Sequence, residues 1–183
     1  MSRVDPTPAE VAAVMPGDDV VPDADVVMDR AMTLSAPPDR VWPWLAQLGK
    51  RRGGWYMSRR VERFVPASRR GLWELRDEWL HPGVGDVVPD WGGRNADFVA
   101  TVVEPNRCLV QRSTRGNVRL TWALKLTPAA GGQTRLQLRL RLAGVKRRRI
   151  AAVFGGAMDE LTVVLLCAGL EERFRDAERG GSA

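Results

Sequence analysis

Apolar and polar residues alternate with a period of two along most of the chain between Asp97 and Leu142. Val118, Leu120, Trp122, Leu124 and Leu126 share one parity; Arg119, Thr121, Ala123, Lys125 and Thr127 share the other. Leu136, Leu138, Leu140 and Leu142 repeat the pattern against Arg135, Gln137, Arg139 and Arg141. Successive strand side chains point to opposite faces, so this alternation predicts an antiparallel sheet with one dry and one wet face. Asp97–Glu104 is predicted to set Phe98, Ala100 and Val102 against Val99, Thr101 and Val103, and Cys108–Thr114 reads as a shorter strand. Turn residues at 104–107, 115–117 and 129–132 join these strands as a meander. Val26–Ala36 is a further strand, with Met28, Met32 and Leu34 opposite Asp29, Thr33 and Ser35. Arg30 falls on its apolar side, where a guanidinium needs a carboxylate or carbonyl partner or a path to water.

The period changes after Ala36. Pro37 and Pro38 suit a first helical turn, Asp39 places a carboxylate near its unpaired N–H groups, and Val41, Trp44, Leu45 and Leu48 recur at helical spacing before Gly49. Trp42 lies off that face, and Pro43, too far in for a first-turn proline, predicts a kink or a tight second turn. Gly49-Lys50-Arg51-Arg52-Gly53-Gly54 lacks the spacing and the Lys-Ser/Thr of a phosphate-binding loop and reads as a tight turn. Trp55, Tyr56, Val61, Phe64 and Val65 suggest a second short helix with Arg59, Arg60 and Arg63 on its solvated face. A terminal helix is expected from about Ile150 to Ala177, with Phe154, Met158, Leu161, Leu165 and Ala168 as the stripe over the sheet and a bend at Gly155-Gly156. Val163, Val164, Leu166, Cys167 and Leu170 make it apolar nearly all round, over a run shorter than the roughly 20 residues of a membrane span. The two short helices or a second subunit, giving a homodimer, are the expected cover.

Residues 1–22 show neither period and are expected to lie along the surface or to be disordered, so removing Met1–Met15 is expected to leave the core intact. Met1–Asp25 holds one arginine against six carboxylates, net −5, so the rest carries +11 of the total +6. The arginines are spread through the body, and no DNA- or RNA-binding signature is present, so nucleic acid is not the expected partner. Cys108 and Cys167 read as small core residues. His81, the single histidine, rules out a multi-histidine metal site; it reads as an exposed loop residue, with a lone acid–base role beside Asp77 or Glu78 as the alternative. The N-terminus has no basic start followed by an apolar run, so a cytoplasmic setting is expected.

The stretch from Pro16 to Tyr56, in which a strand ending in Ala-Pro-Pro leads into Val-Trp-Pro-Trp-Leu and a Gly-Gly-Trp-Tyr turn, resembles the SRPBCC or START-like superfamily of helix-grip proteins. It is most similar to small bacterial members of unassigned function, and the resemblance extends through Gly85-Asp86 and the later strands over roughly residues 16–178. It departs from them at Met57, Ser58, Arg59 and Arg60, where relatives often carry an aromatic and an acidic residue. The resemblance implies an α+β helix-grip fold: a curved antiparallel sheet, two short helices after the first strand, and a long C-terminal helix on the concave face. The domain would span residues 23–178, with a flexible tail at 179–183.

In that superfamily the space between sheet and helix holds sterols, lipids, polyketides or other apolar molecules. The lining expected here is Met28, Arg30, Trp55, Tyr56, Trp91, Phe98, Trp122, Leu124, Leu138, Leu140, Met158, Leu161 and Leu165. This makes binding or carriage of a hydrophobic small molecule, with no cofactor or metal, the first reading. A polyketide cyclase or dehydratase using the same cavity is one alternative, although no catalytic residue is identified and Arg30 is the single charge on the inward strand faces. An interaction or dimerisation module using the terminal helix is the other.

Overall fold

The computed structural model describes residues 4–91, 96–145 and 156–180. Its strands are β1 (Val26–Leu34), β2 (Val87–Pro89), β3 (Asp97–Glu104), β4 (Cys108–Arg115), β5 (Val118–Ala129) and β6 (Gln133–Ala143). They form one antiparallel sheet in the order β1-β6-β5-β4-β3-β2, so that β3 to β6 make the expected meander, β2 extends it by one short strand, and β1 pairs along the far side of β6. The helices are α1 (Pro8–Ala12), α2 (Pro38–Ala46), α3 (Arg59–Glu62) and α4 (Gly156–Gly180). This is the helix-grip fold: α2 and α4 pack over the concave face, where Leu124, Leu126, Leu136 and Leu138 share one core with Val41, Trp44, Leu45, Leu166 and Leu170. Pairing of Trp122 with Leu140 and of Leu124 with Leu138 puts both alternating series on that face.

Four local expectations change. The register of β3 shifts between Ala100 and Val102, a bulge at Thr101 that reverses the parity beyond it. Val103 therefore packs against the concave core, while Val102 packs on the opposite face with Val110, Ala123 and Met15. In α2, Trp42 is as buried as Trp44, because the helix is enclosed on more than one side; the chain stays helical through Pro43.

Around α3, Phe64 is exposed and Glu62 is the buried residue. Its carboxylate accepts from Arg173 Nη2 at 3.1 Å and from Trp73 Nε1 at 2.7 Å. Arg173, fully buried, also donates to the carbonyls of Met57, Gly169 and Leu72 and lies 4.0 Å from the Trp73 ring centroid. On α4 the buried face is Val163, Leu166, Cys167, Leu170 and Phe174; Met158 and Leu161 are exposed and Leu165 and Ala168 are half-buried. A helix apolar nearly all round takes its orientation from its partners, here the sheet, α2 and the Tyr56–Met57 segment. At Gly169 a Cβ would collide with that segment's backbone. The expected start near Ile150, Phe154 and the Gly155 half of the bend lie outside the described residues. Of the expected tail, Arg179 and Gly180 close α4, and 181–183 lie outside the described residues.

The N-terminal segment lies along the convex face of the sheet, the first of the two expected placements. Thr7 and Glu10 form a capping box around α1: Thr7 N donates to Glu10 Oε2 at 2.7 Å and Glu10 N to Thr7 Oγ1 at 3.2 Å. The Glu10 carboxylate also accepts from Arg135 Nε and Nη2, both at 2.8 Å. Arg139, 4% exposed, donates to Asp29 and Asp18 and to the carbonyls of Glu10, Val11 and Ala13. Arg141 binds the carbonyls of Val21 and Pro22. Met15 and Val21 are buried, Val4 joins the concave-face core beside the β1 edge, where its carbonyl accepts from Ala31 N at 3.1 Å, and Gly17, at φ +88°, passes so close to Val110 that a Cβ would overlap it. These contacts argue against a cost-free removal of Met1–Met15: a docked segment needs anchors, and buried apolar residues and an arginine row supply them without any period.

Candidate functional site

Where α4 begins beside the β2–β4 side of the sheet, packing gives way to a cavity of about 240 Å³ that opens to solvent. Its floor is the concave face: Phe98 of β3, Gln111 and Arg115 of β4, Leu120 and Trp122 of β5, Leu140 and Leu142 of β6. Asp159, Thr162 and Val163 of α4 form one wall, Leu48, Gly49 and Trp55 another, and Val88–Trp91 the rim. Trp122 is the centre of an aromatic shelf, stacked on Trp55 at 5.9 Å between ring centroids and tilted against Phe98 at 6.1 Å. Trp55 is held in place by its Nε1, which donates to the Thr162 carbonyl at 3.2 Å and so ties the shelf to α4.

Polar groups enter this apolar space at two places. The first is β4, whose inward parity reads Leu109, Gln111, Ser113, Arg115. Gln111 is 5% exposed, and its side-chain amide makes no hydrogen bond among the described residues. Ser113 Oγ and Arg115 Nε are buried without partners. A buried polar group left unsatisfied costs about 1–3 kcal/mol, so two on one strand face, beside a glutamine with no partner, are an expensive feature. The Arg115 guanidinium also forms an ion pair with Asp90 through Nη2 and sits 5.4 Å from the Phe98 ring centroid.

The second is the start of α4. Arg30 donates from Nη2 to the Gly156 carbonyl at 2.7 Å and from Nη1 to the Asp29 carbonyl at 2.8 Å, and its Nε lies 3.2 Å from Asp159 Oδ2. The inward arginine thus has the carboxylate and carbonyl partners its position requires. Burial pushes the Asp159 carboxyl above its ordinary pKa, and the Arg30 charge opposes that shift in part.

Of the thirteen expected lining residues, Trp55, Trp91, Phe98, Trp122 and Leu140 line the cavity. Leu124 and Leu138 are buried one layer away in the packed core, and Met28 is buried on β1 opposite Leu140. Tyr56 turns into the α2 side of the core: its hydroxyl donates to the Trp44 carbonyl at 2.9 Å, and burial pushes its pKa up. Arg30 reaches the site through Asp159, Met158 and Leu161 face solvent, and Leu165 is half-buried away from the cavity. Sequence reasoning passed over Gln111, Ser113, Arg115 and Asp159. The first three stand at i, i+2 and i+4 on the parity of Leu109, but a polar run of that kind does not by itself mark an inward face. Among the described residues no group of His, Cys, Asp and Glu is arranged to hold a metal ion, His81 is exposed, and no helix is long and apolar enough to cross a membrane.

No family model and no curated protein matches this chain. Solved structures do. CalU16 from Micromonospora echinospora is 21% identical, with 85% of this chain and 84% of that one covered at a TM-score of 0.48. The polyketide-cyclase-like protein Cgl2372 from Corynebacterium glutamicum is 21% identical over 83% of this chain and 88% of its own, at 0.40. The Aha1 dimer from Colwellia psychrerythraea is 14% identical over 80% and 96%, at 0.49. The helix-grip assignment rests on this chain's own strand order and on the placement of α2 and α4.

Proposed function

We propose that the protein binds and carries an apolar small molecule in the cavity between the sheet and the start of α4. The observation that supports this most is the aromatic shelf of Trp55, Trp122 and Phe98, left facing open space in a fold that packs solidly one layer away. Close-packed interiors leave few voids larger than a water molecule, and ligand sites are concave, apolar and carry a few placed polar groups. Titration calorimetry with ethylnaphthalene, an uncharged bicyclic hydrocarbon, tests the reading. Saturable binding is expected in the native protein and its loss in Leu140→Trp, which fills the cavity. A native protein that takes up none of it overturns the proposal.

One observation favours a second reading, acid–base catalysis in the same cavity. Asp159 lines the space and retains its proton to higher pH than an exposed aspartate. Asp159→Asn separates the readings: a carrier keeps its bound ligand unchanged with or without the carboxyl, whereas an enzyme loses conversion of that ligand while still binding it.

A further inference from the structure

We infer that Gln111 and Arg115 of β4, which line the cavity to either side of the buried Ser113, form a polar subsite that selects an uncharged, oxygen-bearing ligand over both a plain hydrocarbon and an anion. The inference rests on the cavity reading above and goes further, from an apolar space to the chemistry of its occupant. Three facts about the row carry it. The side chains lie on one strand face at two-residue spacing, opposite the aromatic shelf: Gln111 pairs with Trp122 and Ser113 with Leu120. Each retains unused hydrogen-bonding capacity among the described residues: the Gln111 amide, Ser113 Oγ and Arg115 Nε. Gln111 is more than nine-tenths buried, yet it lines the cavity and is aimed into it. A ligand oxygen seated there would accept from donors that otherwise stay unsatisfied, while the ring system bearing it lies on Trp122 and Trp55.

Charge decides which oxygen. Among the described residues the charged ones lining the cavity are Asp90, Arg115 and Asp159. Arg115 is paired with Asp90, and Asp159 with Arg30, so the described part of the wall presents compensated pairs and no uncommitted cation. A carboxylate or phosphate would lose its hydration and face two aspartates. A ketone or hydroxyl oxygen gives up far less hydration and finds the same donors.

The test compares ethylnaphthalene, acetylnaphthalene and naphthoate by titration calorimetry on the full-length protein. The first two differ in one CH₂ replaced by a carbonyl; the third replaces the ketone by a carboxylate. Native protein is expected to bind acetylnaphthalene about three- to tenfold more tightly than ethylnaphthalene, the range of one or two net hydrogen bonds, and naphthoate most weakly. Gln111→Met, which keeps the side chain's length and removes its amide, is expected to abolish the preference, read as the ratio of acetylnaphthalene to ethylnaphthalene affinity within the variant. If Gln111→Met does not fold, Gln111→Leu supplies the same readout as a reduced preference. Equal affinity for ethyl and acetyl compounds in the native protein, or a preference that survives both substitutions, overturns the subsite and leaves the cavity reading standing with water in the row. Tightest binding of naphthoate overturns the selection for an uncharged ligand. No binding of any of the three removes the cavity reading and the subsite with it.

Discussion

The two faces of the sheet are built from the same strands and solved by opposite means. On the concave face, leucines of β5 and β6 meet α2 and α4 in a core that needs only size and shape, and that core stops short at a cavity. On the convex face β6 presents Arg135, Arg139 and Arg141, and the cover is an acidic N-terminal segment clamped by directed hydrogen bonds. The +11 body and −5 leader are therefore halves of one intramolecular contact: Glu10 with Arg135, Asp18 with Arg139 and Arg141, and, at the exposed end, Asp23 with Arg119. An amphipathic strand announces which side is dry. It does not announce that the other side will be left to solvent.

Removing one member of a buried charge cluster is the sharpest way to test the convex half. Arg139→Met leaves Asp29, Asp18 and three carbonyls without their donor, and is expected to cost about 3–5 kcal/mol in urea unfolding. Arg112→Met, exposed on β4 two strands away, is expected to stay within about 0.5 kcal/mol. Equal effects at the two positions would mean that the leader does not hold the sheet. On the concave side, Trp42→Ala and Trp44→Ala are each expected to cost about 3–5 kcal/mol, since both rings are buried in one core; a much smaller loss at Trp42 would restore the single-faced helix that the period suggested.

Overpacking separates core from cavity within that face. Leu124→Trp is expected to destabilise by about 1–3 kcal/mol and Leu140→Trp by under about 1 kcal/mol, because one side chain is enclosed and the other borders open space. The smallest effects are in pH dependence, and they carry opposite signs. Bonding to Arg135 draws the Glu10 carboxyl down to about 2, so its contribution is complete above the unfolded value of 4.5 and fades as pH falls toward 2; Glu10→Gln should flatten acid unfolding in that interval. Asp159 is shifted upward, so its contribution is greatest below 3.8 and declines as pH rises through its folded value. Comparing the pH dependence of stability in Asp159→Asn with that of the native protein should show the reversed slope.

The meander and its inward face were legible because β5 and β6 keep parity without interruption over their whole length. Parity failed at β3, where one inserted residue at Thr101 reverses it and no glycine or proline marks the place. It failed differently on α4, whose all-round apolarity leaves the packing partner to decide which leucines go inside. The leader carried a usable signal that periodicity does not register: Thr7-Pro8-Ala9-Glu10 is a capping box with proline at the first helical position. Within the site, the aromatics were legible as large inward residues. The polar row was not, because a strand with Gln, Ser and Arg on the parity of a leucine looks like a weak strand until its neighbours enclose it.

The anchoring of the leader also orders events in time. Its contacts to Arg139 span 121 to 129 residues, so Glu10, Val11 and Asp18 are synthesised long before the strand that receives them. Until β6 has paired with β5 no arginine row exists for the acidic segment to dock on, and closing so long a loop is slow. The first-made part of this contact is the last to find its place, and a nascent chain halted before Arg139 would present the segment without the hydrogen bonds that hold it in the finished protein.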